Sequence, residues 1–411
     1  MNRKITTPLS VIGALSVAVL VTACSGGGGA PAGSPTDSAG SDWSSIEPVE
    51  LTVSNIFAEG SVSTVLLQDW MDAVTEQTEG VVTFDYYPGG TLHPLLESLS
   101  ALNSGLTDIT YMGNSFFPDQ LPISNWRDKV TQAALQSVNY PLVDVAGIGQ
   151  EFAQHGSGSA SVTEQAEAGF ISFMPLLIGP PAFSCVEEFE TPDDLAGRQT
   201  RVSGATAKGE VESLGMGGVF TAANEQYEAL QRGVLDCAVN APTTVVSGGL
   251  LEVTPWVAFP KFAPLLGSGW AISTSAWEEL APEIQDVMTE ARYDAMTTWI
   301  QASLNEFQTL ADAAEEIGGG VIESDEINPV VDDWWADQPS LESAAPTGVE
   351  DPQAEIAAIN AVVEEWLTFS TEELGIDPEP ENIRDVLAEG GGVVDDWQPW
   401  RDKLAEGPGI Q

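Results

Sequence analysis

Residues Asp194–Gly204, DLAGRQTRVSG, place two arginines three positions apart in a chain with 13 Lys+Arg against 62 Asp+Glu and a formal net charge of −49. A guanidinium presents a planar pair of donors that matches both oxygens of a carboxylate. Arg198 and Arg201 are therefore the first residues to weigh for binding chemistry. Arg198 sits at a turn before a strand, where a rim charge pairing with Asp193 or Asp194 accounts for it. Arg201 falls within the strand, where it serves either a structural salt bridge or an anionic ligand. Catalytic options are few. The chain has two histidines, His93 and His155, and neither stands in the HxxxH or HExxH spacing that puts two imidazoles on one helix face for zinc. There is no GxSxG elbow, no GxxxxGK[ST] phosphate loop and no GxGxxG after a strand. Carboxylates are so numerous that any pair of them says little about acid–base work. The reading is a binding protein with no catalytic residues, no metal and no cofactor. A net charge of −49 also excludes nucleic acid as a partner, since counterion release cannot offset so negative a field.

The elements that position these residues follow from the pattern. A length of 411 residues exceeds what one core organises and predicts two lobes. The start, MNRKITTPLSVIGALSVAVLVTAC, has Arg3 and Lys4, an apolar run too short for a stable span, and small residues before a cysteine, which predicts a signal peptide over residues 1–23. Val21-Thr22-Ala23-Cys24 resembles the bacterial lipobox, implying lipidation of Cys24; the alternative is an ordinary secretion signal with a chance cysteine. Residues 24–47 are rich in Gly, Ser and Pro and read as a tether reaching on the order of 25 Å. From Val49 the chain alternates strand and helix. VELTVSNIF, VVTFDYYPGG and TDITYMG read as strands, with helices between them ending at Gly80 and Gly105. A second α/β set begins near FISFMPLLIGPPAFSC, with helices closed by Gly215 and Gly233. Ser275 and Glu278 have capping-box spacing ahead of a long amphipathic helix. Residues 330–411 read as helical and loop-rich, with DDWW, EEWL and DDWQPW burying tryptophans.

Four segments in order, YYPGGTLHPLLESLSALNSGLTDI, DDLAGRQTRV, NEQYEALQRGVLD and ISTSAWEELAPE, resemble the substrate-binding receptors of TRAP transporters, the DctP type. The resemblance spans about Val49 to Trp299. It implies an α/β, two-lobed periplasmic-binding-protein-like fold (type II), each lobe a mixed β-sheet flanked by helices, with a helical C-terminal extension. Lobe I would hold residues 48–178 and 271–315, and lobe II residues 179–270 and 316–411 with the C-terminal helices. The implied function is an extracytoplasmic, lipid-anchored, monomeric receptor that closes on a small organic acid and delivers it to TRAP permease subunits. An ABC-type receptor or sensor input domain of the same fold is the alternative. A secreted hydrolase or lyase would need a nucleophile–base pair or metal set that two histidines do not supply.

The family's carboxylate-binding arginine falls on Arg201, and its asparagine after the G..D motif on Asn240, whose other reading is a turn cap before Pro242. In the family, first-lobe ligand contacts come from strand ends and the next loop or helix, which implies Asn55, His93 and Asn114 as further contacts; His93 starts a helix, where a loop-edge imidazole is its other reading. Phe183 and Trp270 lie on strands expected to face the cleft, where core packing is the competing reading. The segment IGPPAF lacks the second base that some sialic-acid-binding relatives carry, which argues against a two-arginine clamp. With Cys24 lipidated, Cys185 and Cys237 are left on neighbouring strands outside the cytoplasm, where they are expected to form a disulfide; two buried free thiols are the alternative.

Overall fold

The computed structural model describes residues 42–57, 59–155, 159–221, 225–379 and 383–407. The signal-peptide and Cys24 lipidation readings lie outside the described residues. The tether ends earlier than its composition implies, because Trp43 is buried against the main core.

Two sheets organise the chain. The first has the order β2-β1-β3-β10-β4, built from β1 (Val49–Ser54), β2 (Val82–Tyr87), β3 (Ile109–Gly113), β10 (Leu265–Ser273) and β4 (Phe170–Ile178). β1 runs parallel to β2 and β3, and β10 runs antiparallel to β3 and β4. The second has the order β11-β9-β5-β8-β6-β7, from β11 (Gly320–Ile322), β9 (Trp256–Ala258), β5 (Ala182–Cys185), β8 (Cys237–Asn240), β6 (Gln199–Val202) and β7 (Gly217–Phe220). β6 pairs parallel with β7 and β8, while β5 is antiparallel to β8 and β9. This is the mixed α/β architecture with two flanked sheets that the sequence implies.

Local chemistry explains the connecting helices. Helix Val62–Gln77 starts where Ser61 Oγ accepts from Thr64 N, and it buries Leu66, Leu67, Trp70, Met71 and Val74 along one stripe. Gly105 ends helix Ser98–Ser104 in the left-handed conformation, as its position in the sequence implies. Ser275 is not the expected cap, since Ser273 is the N-cap residue of helix Thr274–Glu279 and its hydroxyl bonds to that of Ser275. A separate helix, Pro282–Glu316, then runs for 35 residues, about 50 Å at 1.5 Å per residue. It packs on helix Val62–Gln77 beside the first sheet and on helix Pro242–Ser247 beside the second.

Two lobe boundaries differ from the expectation. β10 begins at Leu265 and is hydrogen-bonded into the first sheet, so residues 265–270 belong to the first lobe and not the second. Helices Pro352–Glu372 and Gln398–Glu406 join the first lobe, while β11 and helix Asn328–Ala336 stay with the second, as expected. Helix Pro352–Glu372 packs on helices Leu142–His155 and Pro122–Leu135. Tryptophan sets that choice. Trp366 lies so close over Gly149 that a Cβ there would fall 2.2 Å from its ring, and the buried Trp400 donates to Val145 O at 3.1 Å. Cys185 and Cys237 face each other in register on β5 and β8, both fully buried, and are joined by a disulfide.

Candidate functional site

Arg201 reaches the carboxyl ends of three strands. On β6 it lies beside Val219 of β7 and Ala238 of β8. Its Nε donates to Thr221 O at 3.1 Å, and its Nη1 donates to Val239 O at 2.9 Å and to Asn240 Oδ1 at 2.8 Å. Those three bonds fix the guanidinium plane and engage the Nε–H and both protons of Nη1. The two protons of Nη2 make no bond to a described residue. No carboxylate lies within ion-pair distance of Arg201 among the described residues. Burial alone lowers its pKa to about 10, with no neighbouring anion to hold it up. A cation only 9% exposed and bonded only to neutral oxygens leaves an unmet demand for an anion.

Asn240 adjoins this guanidinium, and Gln226 orients it. Gln226, at the start of helix Gln226–Gln231 and 1% exposed, accepts from Asn240 Nδ2 at 3.1 Å. That bond fixes the Asn240 amide with Oδ1 toward Arg201. Asn240 therefore serves Arg201 first and does not cap a turn before Pro242. Neither Gln226 nor Thr221 was legible as a site residue in sequence; the available signal for Gln226 was its place in the NEQYEALQRG segment. Arg198, by contrast, donates to the backbone carbonyls of Glu187 and Glu188 at 2.8 and 3.1 Å rather than pairing with Asp193. It lends Asp194 a small share of that carboxylate's stabilisation, most of which comes from N–H groups at the helix start.

Asn55 and Asn114 directly follow strands and His93 lies in the loop after β2, but their side chains are already engaged. Asn55 is fully buried, donates to Thr64 Oγ1 and Tyr86 Oη at 3.1 Å each, and accepts from Phe57 N. His93 uses both ring nitrogens, on Pro94 O and Thr110 Oγ1. Asn55 and His93 thus shape the loops after β1 and β2. Trp270 does not face a cleft: it is fully buried in the main core, where it joins Tyr111 and Phe57 in an edge-on trio, and its indole N–H has no partner among the described residues. Phe183 does not face a cleft, because it is fully buried against Phe189 and Phe262 in the core of the second sheet.

Asn114 belongs to a different cluster, one that sequence reasoning missed. Its Nδ2 donates to Asp128 at 3.1 Å, beside Arg127 and Glu151, around an enclosed polar cavity of about 30 Å³. That volume holds a water or two and excludes an organic acid. Arg127 is paired with Glu355 of the C-terminal region and bonded to Gln154. Burial first raises both Asp128 and Glu151, and repulsion between neighbouring carboxylates adds to it.

Comparison with known proteins places this arrangement. Residues 53–332 match the model of the DctP family, described as bacterial extracellular solute-binding protein, family 7. The chain belongs to this family. A solute-binding protein of Chromohalobacter salexigens is 23% identical over 297 residues, covering 70% of this chain and 85% of its own length. Solved structures share the fold. A TRAP solute-binding protein from an unidentified marine microbe, in complex with pyroglutamate, is 17% identical with a TM-score of 0.63, covering 78% of this chain and all of its own. The sugar-acid-binding protein DctPAm of Advenella mimigardefordensis, in complex with galactonate, is 16% identical with a TM-score of 0.61, covering 78% of this chain and 99% of its own. A TRAP solute-binding protein of Chromohalobacter salexigens, with bound D-glucuronate, is 19% identical with a TM-score of 0.56, covering 76% of this chain and 99% of its own. The family match ends at residue 332, so the C-terminal helices that carry Trp366 and Trp400 extend beyond it.

Proposed function

We propose that this DctP-family chain captures a small organic monocarboxylate between its two sheets and hands it to a TRAP-type permease, without chemistry on the solute. The carrying observation is Arg201: a buried cation, held in a fixed plane by neutral oxygens, with the Nη2 protons free of bonds and no carboxylate beside it among the described residues. An arginine so arranged offers a carboxylate charge-assisted hydrogen bonds from its Nη2. The ligands of the structural relatives, pyroglutamate, galactonate and D-glucuronate, each carry one carboxylate with further neutral polar groups, which suits a site with one cation. Thermal-shift screening of the chain freed of its leader tests the reading. A monocarboxylate at 100 times its dissociation constant should add about 2.7 kcal/mol of stability; stabilisation by uncharged or cationic compounds alone would overturn it.

The receptor is proposed to be monomeric and held at the outer face of the cell membrane through lipidated Cys24, on the strength of LVTAC and the tether after it. Two acyl groups anchor stably where one does not. Cys24→Ser should move the protein from the membrane fraction to the medium.

A further inference from the structure

Two short connections carry the chain between the sheets, residues 179–181 from β4 to β5 and residues 259–264 from β9 to β10. They touch each other: a Cβ on Gly179 would fall 2.6 Å from Pro264 Cβ. The longer connection is bonded alternately from the two lobes. Its N–H groups go to the second lobe, Lys261 N to Asn328 Oδ1 at 2.8 Å and Ala263 N to Glu210 Oε1 at 2.7 Å. Its carbonyls accept from the first lobe, Lys261 O from Gln136 at 3.4 Å and Pro264 O from Gln132 at 3.0 Å.

Two buried carboxylates stand at this crossing. Glu210, 1% exposed on helix Ala205–Ser213, accepts from Ala263 N and also from Trp335 Nε1 at 2.9 Å. Asp144, fully buried on helix Leu142–His155 of the first lobe, accepts from Gly179 N at 3.0 Å through one oxygen, while the other has no partner among the described residues. A carboxylate is a costly group to bury, and a buried N–H could equally be met by a serine or an amide. Each acid is rigidly seated in one lobe and bonded to backbone that leads into the other. A hinge is a few connecting residues that absorb a backbone rotation, and these two connections are where that rotation falls.

We propose that Glu210 and Asp144 are hinge-positioning residues, each fixing the backbone of one connection and together setting the balance between open and closed lobes. The proposal rests on the reading of this chain as a closing receptor. Affinity in such a receptor scales with the fraction that is competent to close, so a residue remote from the solute changes affinity by the factor through which it changes that fraction.

Spin labels at Leu106→Cys and Val234→Cys, exposed positions beside the first and second sheets, report the interlobe distance while the native disulfide stays closed. In the solute-free full chain, Glu210→Gln and Asp144→Asn keep an acceptor oxygen and should give the wild-type distribution. Glu210→Leu, shown folded by its melt, should displace or broaden it and change affinity for the best monocarboxylate by at least about threefold. Gly179→Ala drives a methyl group into Pro264 and should displace the distribution too; it decides alone if Glu210→Leu does not fold. Wild-type distributions in folded Glu210→Leu and in Gly179→Ala, or a Glu210→Gln that behaves as Glu210→Leu does, would overturn the proposal. The distances are read without solute. A chain that bound no monocarboxylate would therefore sink the receptor reading and leave the hinge result standing.

Discussion

Arg127 and Arg201 are both buried, both on regular elements and both depressed in pKa by burial, yet their surroundings are opposite. Arg127, on helix Pro122–Leu135, pairs with Glu355 and has Asp128 and Glu151 nearby to hold its charge. Arg201 has three neutral oxygens and, among the described residues, no acid. The first is a closed electrostatic account that ties the C-terminal region to the first lobe. The second is open by one anion. Burial of a cation therefore says nothing about ligand binding until its partners are known, and in a chain with 62 acids the absence of one beside Arg201 is the informative fact.

The largest expected effect separates the two arginines. Arg201→Ala should weaken binding of the best monocarboxylate by at least about thirtyfold, since losing one partner of a desolvated charge pair costs roughly 2–5 kcal/mol. Its melt should stay near wild type, because an uncompensated buried cation has been removed. Arg127→Met should do the reverse. Stranding Glu355 and its neighbours should cost about 3 kcal/mol of stability, while the folded fraction binds as wild type. Calorimetric titration and urea melts on both variants read the contrast, and matching behaviour of the two would erase it.

The two lobes also differ in how they are stapled. The Cys185–Cys237 disulfide, with a sequence separation of 52, closes a loop within the second sheet, and the loop-entropy model assigns such a closure about 4 kcal/mol. Thiol titration of the denatured, unreduced chain should find no free thiol at these positions, and reduction should lower the urea midpoint. An unchanged midpoint would assign the stability of that sheet to its apolar core.

Acidity offers a smaller test of the same contrast, because the buried acids of both lobes are shifted the same way. Burial raises Glu210 and Glu306 to about 7, Asp144 well above the usual carboxylate range, and Asp128 and Glu151 above it as well. In the unfolded chain these groups lose their protons near pH 4–4.5, at lower pH than in the folded one. Between those values the folded state binds more protons, so stability falls as pH rises through the folded values and is recovered on acidification. Melting temperature at constant ionic strength should rise by a few degrees from pH 8 to pH 5.5; a flat or falling profile would count against these shifts.

Much of this architecture is readable in the sequence, because alternation and helical spacing report burial directly. The glycine stops near residues 105, 215 and 233 have the left-handed backbone that such stops require. Arg201 and Asn240 are readable through the order of four segments. What could not be read is set by partners distant in the chain. Trp366 chooses the first lobe because Gly149 leaves room for its ring, and no local pattern encodes that meeting. Phe183 and Trp270 were both expected to face a cleft, yet each is fully buried in a core cluster, and Trp270 has an indole N–H without a partner among the described residues. Asn55 follows the end of β1 and His93 lies in the loop after β2, but their polar atoms are already taken up within the lobe. Glu210 and Asp144 are invisible among so many acids.

The smallest expected effect belongs to Arg198, three residues from Arg201 and the sharpest control on it. Its guanidinium donates to two backbone carbonyls in an exposed setting, where water competes and net contributions are small. It shares with Arg201 the charge, the segment and the long-range field of a molecule at −49, but not the enclosure by strand ends. Arg198→Ala should therefore change affinity for the monocarboxylate by less than about threefold, within the range ascribed to exposed charges. It should also steepen the salt dependence of association little, because screening at physiological ionic strength acts over about 8 Å. If Arg198→Ala weakened binding as much as Arg201→Ala does, the general field of the segment would be the attractive force, and the special standing given to the buried, acid-free guanidinium would fall.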